Sequence, residues 1–309
     1  MCPIHRRYGP LRNPWTRLAG AHSRGRAWPA QPDPTQGVEM KIALQEGLLP
    51  GGTLDEKLDF AESLNVEGLE ISGRGPARRI DELESALRNR GIRLVSLCGQ
   101  GTFDFLDPDF DKRNHSVAEA KENLQVCGHF GAVGLILPPI FGPPRLPDLT
   151  PLADAVTLEM QLLTEIVRDL AAFAAEQQTK VLLEPLNRYE EHLLRQQERG
   201  IEIIQRAGDP PSASLLCDFF HMHIEETDTP ATLRRIGSRY VGHVHMADNT
   251  RQEPGSGDID WKAGLSALRD IGYDGYLAYE CGITGDSDTE RRETLSRSVQ
   301  FIQDIIKEG

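Results

Sequence analysis

Four side chains that could bind a metal ion stand at the ends of four consecutive apolar runs in the second half of the chain. They are Glu184, Asp218, His245 and Glu280. Burying three carboxylates together is too costly unless a cation neutralises them. Carboxylates combined with one imidazole suit hard or borderline divalent ions. The sequence therefore predicts a site for Mn²⁺, Mg²⁺, Co²⁺ or Zn²⁺.

A second histidine precedes His245 by two positions in the same run. Residues two apart on a strand point to the same face, so His243 and His245 share a face. Only the residue nearer the carboxyl end of the strand is placed to reach the metal. We therefore predict His245 as the ligand, and His243 as a packed residue one layer below it.

Three further polar residues follow the predicted ligands closely along the chain: Glu190, His221 and Arg251. On spacing alone, Glu190 belongs to a solvated helix start and Arg251 to a loop, where an arginine is usually solvated. His221 lies just beyond the end of a strand, where spacing favours a place in the site over a surface loop.

Short strand-like runs alternate with helix-like segments from residue 40 onward. The eight strand-like runs are Lys41–Gln45, Gly68–Ser72, Arg93–Gly99, Val133–Pro138, Lys180–Leu186, Ser214–Phe220, Val241–Ala247 and Gly275–Cys281. The helix-like segments are Thr53–Leu64, Arg79–Arg90, Ser116–Phe130, Thr157–Gln177, Arg199–Ala207, Pro230–Ile236, Trp261–Ile271 and Thr289–Ile306. Eight such units predict a single α/β domain, a (β/α)₈ TIM barrel over residues 40–309, with its site at the carboxyl ends of the strands.

An open doubly wound sheet is the main alternative fold. That fold would be expected to have a glycine-rich phosphate loop after the first strand. Residues 48–52, Leu-Leu-Pro-Gly-Gly, do not form such a motif. The proline-rich loop after the fourth strand, residues 138–147, could either cover the site or form a rigid surface excursion.

Composition excludes several classes of partner. The 309 residues carry a formal net charge of −13, which disfavours nucleic acid, and we predict no nucleic-acid partner. No run approaches the roughly 18 apolar residues of a membrane span, so we predict no membrane partner. The 5 cysteines fit no disulfide framework or zinc finger, which favours reduced thiols in a cytoplasmic protein.

Residues 1–39 differ from the rest of the chain. They are basic and rich in Pro, Arg and Gly, without apolar periodicity or the apolar core of a secretory signal. A transit segment, a disordered tail and a true start at Met40 all fit this pattern. We interpret the segment as a disordered N-terminal extension.

The joint pattern of motifs resembles the ketose 3-epimerases, the D-tagatose and D-psicose 3-epimerases within the xylose-isomerase-like barrels. The resemblance spans roughly residues 40 to 285 and is densest from 180 to 281. It is carried by Glu184-x-x-Asn187-Arg188-Tyr189-Glu190, Asp218-Phe219-Phe220-His221, Gly242-His243-Val244-His245 with Asn249 and Arg251, and Gly272-Tyr273-Asp274-Gly275 before Glu280.

The resemblance implies a role for each matching residue. Glu184, Asp218, His245 and Glu280 match the ligands of a divalent metal, usually Mn²⁺ or Co²⁺, and we favour Mn²⁺. Glu184 and Glu280 also match the pair that exchanges the proton at the reacting carbon, through an enediolate that the metal stabilises. The residues that match substrate contacts are Glu190, His221 and Arg251. We therefore expect an isomerase of carbohydrate metabolism, with a small sugar as substrate and a homodimeric or homotetrameric assembly.

Three segments depart from the family pattern and put the substrate in doubt. Gln45-Glu46-Gly47 replaces an aromatic residue after the first strand, Met246-Ala247-Asp248 replaces a Gly-Glu pair, and Cys281-Gly282 replaces a proline and an aromatic residue. A metal-dependent lyase or deglycosidase acting on a 3-oxo sugar is therefore the first alternative. A nuclease resembling the apurinic endonucleases is disfavoured by the acidic charge. A sugar-binding protein without activity would be expected to lack a ligand or base, and none is missing.

Overall fold

Eight parallel strands close into a barrel in the computed structural model, which describes residues 40–99 and 101–308. The strands are β1 Lys41–Gln45, β2 Gly68–Ser72, β3 Arg93–Cys98, β4 Gly134–Leu137, β5 Lys180–Leu183, β6 Ala213–Asp218, β7 Val241–Met246 and β8 Tyr276–Tyr279. Each strand pairs with the next, and β8 pairs with β1. The predicted TIM barrel is confirmed. The predicted N-terminal extension, residues 1–39, lies outside the described residues.

Helices follow the strands around the barrel. They are α1 Leu54–Ser63, α2 Ile80–Leu87, α3 Phe110–Phe130, α4 Ala155–Glu176, α5 Gln197–Arg206, α6 Phe219–Glu225, α7 Thr229–Tyr240, α8 Trp261–Asp270 and α9 Asp288–Glu308. Thr53 and Glu56 form a reciprocal capping box at the start of α1, in which each side chain accepts a hydrogen bond from the other residue's backbone N–H. This cap fixes where the chain turns from the first loop into the helix.

Two helix boundaries differ from the sequence expectation because aspartates begin the helices. The side chain of Asp109 accepts hydrogen bonds from the amides of Asp111 and Lys112, so α3 starts at Phe110 rather than at Ser116. The sixth predicted strand ran on to Phe220, but the strand ends at Asp218 and α6 begins at once. Consequently His221 lies on α6, and the alternative that placed it in a surface loop does not hold.

The barrel interior is not uniformly apolar. Leucine, isoleucine and valine side chains fill most of it, but several polar side chains inside the barrel are completely buried. These are Glu70, Ser96, Asp218, His243 and His245. Because buried charge needs partners, this group marks where the barrel is built for chemistry rather than for packing. In the part of the chain described, no helix is both long and apolar enough to cross a membrane.

Candidate metal centre and active site

The four predicted ligands converge at the carboxyl end of the barrel. Asp218 and His245 are direct neighbours across the β6–β7 pairing. The Nδ1 atom of His245 lies 3.0 Å from Glu280 Oε2, 3.9 Å from Glu184 Oε1 and 4.0 Å from Asp218 Oδ2. One donor atom from each of the four residues lies within 4.8 Å of all the others. A single divalent ion can therefore be reached by all four side chains.

Two buried atoms of this group support the fit of a cation. Among the described residues, Glu184 Oε1 has no hydrogen-bond partner, and the 3.0 Å contact of His245 Nδ1 with Glu280 Oε2 lacks hydrogen-bond geometry. An unpaired buried acceptor costs stability unless something else satisfies it. Both atoms face the other ligands, so a cation bound between the four side chains would satisfy them together.

The carboxylate of Asp218 has two separate tasks. Its Oδ1 atom caps α6 by accepting hydrogen bonds from the amides of Phe220, at 2.7 Å, and His221, at 3.4 Å. Its Oδ2 atom is left to face the centre, 4.0 Å from His245 Nδ1. The helix cap thereby fixes the orientation of a candidate ligand.

The two candidate proton-exchanging glutamates lie in opposite electrostatic environments. Burial and the nearby charge of Glu280 raise the pKa of Glu184 well above its usual value. Burial alone would also raise the pKa of Glu280, but the positive charges of His245 and Arg251 outweigh it and lower this pKa to about 2. Without a cation, the two glutamates therefore differ in their tendency to hold a proton.

Arg251 reaches across the centre from the loop after β7. Its guanidinium donates to Asp218 Oδ2 at 2.6 Å and to Glu280 Oε2 at 2.5 Å, and it stacks on the ring of Phe220, 4.8 Å from the ring centroid. The backbone of Arg251 has a φ of 59°, an uncommon conformation for a residue other than glycine. Such strain is stored at sites that position a side chain for function.

Asp248 holds the Arg251 loop in shape. Its side chain is buried, and it accepts hydrogen bonds from the backbone amides of Asn249, Gly255 and Ile259 and from the indole N–H of Trp261. Burial would raise the pKa of Asp248, but these hydrogen bonds outweigh it and lower the pKa. Asp248, which departs from the pattern of the ketose 3-epimerases, is therefore the residue that stabilises the loop carrying Arg251.

His221 and Glu190 lie beside the centre, as the resemblance implied. His221 is buried, and its Nδ1 accepts from the backbone N–H of Asn187 at 3.2 Å, while its Nε2 lies 3.8 Å from Asp218 Oδ2. Asn187 also donates from its side chain to Glu190 Oε1 at 2.8 Å. Burial lowers the pKa of His221, so this imidazole is neutral near pH 7. Asn187 therefore orients both predicted substrate contacts.

Sequence reasoning missed a buried carboxylate below the ligands. Glu70 stands in the middle of β2, with no exposed surface, and its two oxygens each lie 3.0 Å from Nε2 of His245. Ser96 Oγ donates to it at 2.6 Å, and Nε2 of His243 lies 3.2 Å away. The signal in the sequence was a single acidic residue inside the apolar run Gly68-Leu69-Glu70-Ile71-Ser72.

Gln45 links this lower carboxylate to the centre. Its side-chain amide donates to Glu70 Oε1 at 2.8 Å and to Glu280 Oε1 at 3.1 Å. Glu280 Oε1 also accepts from the thiol of Cys98 at 3.3 Å. The ketose 3-epimerases usually have an aromatic residue after the first strand. In this chain the amide of Gln45, at the end of β1, instead donates a hydrogen bond to the candidate ligand Glu280.

Hydrogen bonds around the buried Glu159 tie the proline-rich loop to the site. Glu159, on α4, accepts from the backbone N–H of Arg145 at 2.6 Å and pairs with His192 Nε2 at 2.6 Å, and His192 Nδ1 bonds the carbonyl of Gly142 at 2.8 Å. The amide of Gly142 in turn donates to the carbonyl of Glu190 at 2.7 Å. The loop after β4 is therefore fastened to the segment that carries Glu190.

We expect Asp248→Asn to lower the free energy of unfolding without changing the affinity for a divalent cation. The new amide would present N–H groups to donors that now share the carboxylate, which should cost about 1–3 kcal/mol of unfolding free energy. Turnover should fall because Arg251 loses its support, while cation affinity should stay near the wild-type value. Denaturant unfolding and calorimetry measure the two effects, with the exposed Asp274→Asn as control. Equal stability of Asp248→Asn and the control would contradict this role.

The closed parallel barrel gathers three carboxylates and an imidazole at its carboxyl end, a donor set that could hold a divalent cation where barrel enzymes have their active sites. Residues 58–305 match the family model described as xylose isomerase-like TIM barrel. The chain belongs to that family.

Named relatives of the chain are sugar epimerases. The 3-dehydro-D-guloside 4-epimerase of Escherichia coli K12 is 30% identical over 262 residues, which cover 83% of this chain and 98% of the relative. The D-psicose 3-epimerase of Ruminiclostridium cellulolyticum is 36% identical over 116 residues, or 38% of this chain and 39% of the relative. These relatives confirm the predicted class, and they do not favour the lyase or nuclease alternatives.

Solved structures agree with the fold. The crystal structure of an E. coli 3-keto-D-glucoside 4-epimerase superposes with a TM-score of 0.76 at 28% identity, covering 85% of this chain and all of that one, 100%. A D-psicose 3-epimerase from Clostridium cellulolyticum, solved with D-tagatose, gives a TM-score of 0.75 at 23% identity, covering 86% and 99% of the two chains. The second likeness bears on the fold alone.

Proposed function

We propose that this protein is a cation-dependent carbohydrate epimerase that inverts a carbinol carbon next to a ketone. The observation that carries the proposal is the convergence of Glu184, Asp218, His245 and Glu280 within 4.8 Å of one another. The first and last of these side chains come from strands that are three places apart in the barrel, so they approach the centre from different sides. When bound, the divalent ion would act as a Lewis acid that stabilises negative charge on the deprotonated sugar.

The protein's own residues would divide the work as follows. One of the two glutamates, as a carboxylate, removes the proton next to the ketone, and the other, as a carboxylic acid, returns a proton from its own side, which inverts the carbon. In the reverse direction the two residues exchange roles. Arg251 and His221 would hold substrate oxygens beside the centre, and Glu190 would bind a hydroxyl at the rim.

The relatives and Gln45 support one class of substrate. The relative that matches nearly end to end is named for a 3-dehydro sugar glycoside and for inversion at carbon 4, whereas the D-psicose 3-epimerase match covers only 39% of that protein. An amide stands where the ketose 3-epimerases have an aromatic residue that packs on the sugar. We therefore favour a keto-glycoside, and a free ketose inverted at carbon 3 is the second candidate.

The remaining properties belong to the same proposal. Carboxylates with one imidazole favour Mn²⁺, with Co²⁺, Mg²⁺ and Zn²⁺ as alternatives. The four described cysteines, Cys98, Cys127, Cys217 and Cys281, are free thiols, which supports a reducing, cytoplasmic setting. A homodimer or homotetramer is our expectation for the assembly.

Exchange of substrate hydrogen with solvent tests the proposal. The Mn²⁺-loaded protein would be incubated in D₂O with a panel of free ketoses and of 3-keto-glycosides, and deuterium would be located by NMR. We expect deuterium at carbon 4 of a keto-glycoside, or at carbon 3 of a ketose, together with the inverted epimer. Release of the aglycone without an epimer would instead indicate a lyase, and deuterium at carbon 1 of a ketose would indicate aldose–ketose isomerisation.

Arg251→Ala should damage catalysis more than metal binding. A charge-assisted contact to a substrate oxygen is worth on the order of 1.5–3 kcal/mol, so kcat/KM should fall by roughly 10- to 200-fold. Mn²⁺ affinity measured by calorimetry should hold or rise, since the guanidinium no longer competes for Asp218 and Glu280. Arg234→Ala, an arginine whose ion pair to Asp270 lies on the helical exterior, is the matched control. Kinetics equal to the control would remove Arg251 from the site.

A further inference from the structure

The buried carboxylate of Glu70 has a feature that the proposed reaction does not use. It accepts hydrogen bonds from Ser96 and Gln45, and it lies against Nε2 of both His243 and His245. Register places Gln45, Glu70 and Ser96 side by side on the neighbouring strands β1, β2 and β3. An ionised carboxylate can only accept, and in this arrangement every neighbour can donate.

This arrangement decides the protonation of His245. Because both oxygens of Glu70 lie 3.0 Å from its Nε2, that nitrogen must carry the hydrogen. An imidazole that binds a cation has one unprotonated nitrogen, and because Nε2 keeps its hydrogen, that nitrogen is Nδ1, the atom that faces Glu184, Asp218 and Glu280. A lone pair directed at three carboxylates is suited to a metal ligand and to little else.

Glu70, His243 and His245 also lie close enough together to be considered as a cation site of their own. Such a site would need the lone pair of Nε2 on His245. The site formed with Glu184, Asp218 and Glu280 instead needs the lone pair of Nδ1. A neutral imidazole has one unprotonated nitrogen, so His245 cannot serve both sites without losing its last N–H hydrogen. The contact of 2.6 Å between Ser96 Oγ and Glu70 Oε2 has the length of a strong hydrogen bond.

We propose that Glu70 is the positioning residue of the cation centre, which holds His245 in the tautomer and ring orientation that direct Nδ1 to the ion. The inference rests on the proposed cation site and adds to it a residue that touches neither the ion nor the substrate. Carboxylates that orient a metal-binding histidine in this way typically change metal affinity or activity by 10- to 100-fold when they are replaced.

The wild-type protein allows a first test without any substitution. Long-range ¹H–¹⁵N NMR spectra of the Zn²⁺-loaded protein, with His245 assigned through His245→Gln, report which ring nitrogen carries hydrogen. We expect hydrogen on Nε2 and the metal on Nδ1. Metal on Nε2, or a second equivalent of tightly bound metal, would overturn the proposal, since Glu70 would then be a ligand.

A double-mutant cycle separates positioning from general damage to the fold. Glu70→Gln should reduce Mn²⁺ affinity by about 10- to 100-fold in calorimetry. It should cause no further loss in a His245→Gln background, because the ring on which it acts is gone. Glu70→Asp keeps the charge and should recover part of the affinity. An equal loss in both backgrounds, or no loss in either, would overturn the proposal.

Glu191→Gln is the matched control for exchanging a buried glutamate. Burial raises the pKa of Glu191 to about 10, so this side chain is neutral and glutamine resembles it closely. Its Oε1 accepts from the amide of Leu186, and among the described contacts it touches none of the four candidate ligands. The control should bind Mn²⁺ like the wild type. All these readouts use the metal alone, so they stay informative if no sugar in the panel is epimerised.

Discussion

Replacing either candidate base by its amide should reduce turnover by about 10²- to 10⁴-fold, the usual contribution of a positioned acid or base. Glu184→Gln removes one of the two groups that exchange the proton, and Glu280→Gln removes the other. Because both proton transfers occur in each turnover, both variants should lose activity in the forward and the reverse reaction. Steady-state kinetics in the two directions measures this.

The two variants must also be compared for metal content, since both residues are candidate ligands. Metal analysis of each purified variant, and turnover at saturating Mn²⁺, separate loss of the ion from loss of proton transfer. Glu191→Gln is again the matched control, with expected turnover near the wild-type value. Near-normal turnover in either Glu184→Gln or Glu280→Gln would reject the two-base scheme.

Removing divalent ions should lower the Tm and abolish turnover. Without a cation, Glu184 Oε1 is left without a partner, and the charges of Asp218 and Glu280 are offset only by Arg251 and His245. At a free concentration about 100 times Kd, a bound ion stabilises the folded state by about 2.7 kcal/mol, which corresponds to a Tm shift of roughly 5–10 °C in a domain of this size. Chelation followed by Mn²⁺ or Co²⁺ addition, monitored by calorimetry, should produce that shift in both directions.

The size of this Tm shift should depend on the ligands. His245→Gln should start from a lower affinity and show little further change on chelation, whereas the exposed Asp274→Asn should respond like the wild type. A melting curve that stays the same after verified removal of the metal would refute the cation site, whichever sugar is the substrate.

The four candidate ligands at the carboxyl end of the barrel were predictable from the sequence because their positions follow a simple rule. Glu184, Asp218, His245 and Glu280 each end an apolar run, and strand ends of a parallel barrel meet at one face. Alternation put His243 and His245 on one face of β7, and nearness to the carboxyl end of the strand singled out His245. The structure places His243 one layer down, beside Glu70 and Ser96. Local pattern and barrel topology together were sufficient for these residues.

The residues that lie below the candidate ligands, Glu70 with Gln45 and Ser96, were not predictable in this way. Glu70 precedes His245 by 175 positions along the chain, and it lies in the middle of a strand rather than at its end. Nothing local to Gly68–Ser72 reveals that Gln45 and Ser96 will flank it, because that depends on the strand register. Spacing also could not place Arg251, because the shape of its loop depends on Asp248. The Asp248 carboxylate accepts hydrogen bonds from backbone amides up to 11 positions away and from the indole N–H of Trp261. The short helix α6 has only seven residues, too few for a helical period, so its start had to be read from the cap on Asp218.

Anomalous diffraction from crystals soaked in Mn²⁺ tests the central claim most directly, because it locates the ion without reference to any substrate. We predict one strong peak bounded by Glu184, Asp218, His245 Nδ1 and Glu280, at bond lengths of about 2.0–2.2 Å. Arg251 should have withdrawn from Asp218 and Glu280, and Glu70 should still contact Nε2 of His245. A peak among Glu70, His243 and His245 instead, or no peak at a concentration that saturates the calorimetric titration, would contradict the account.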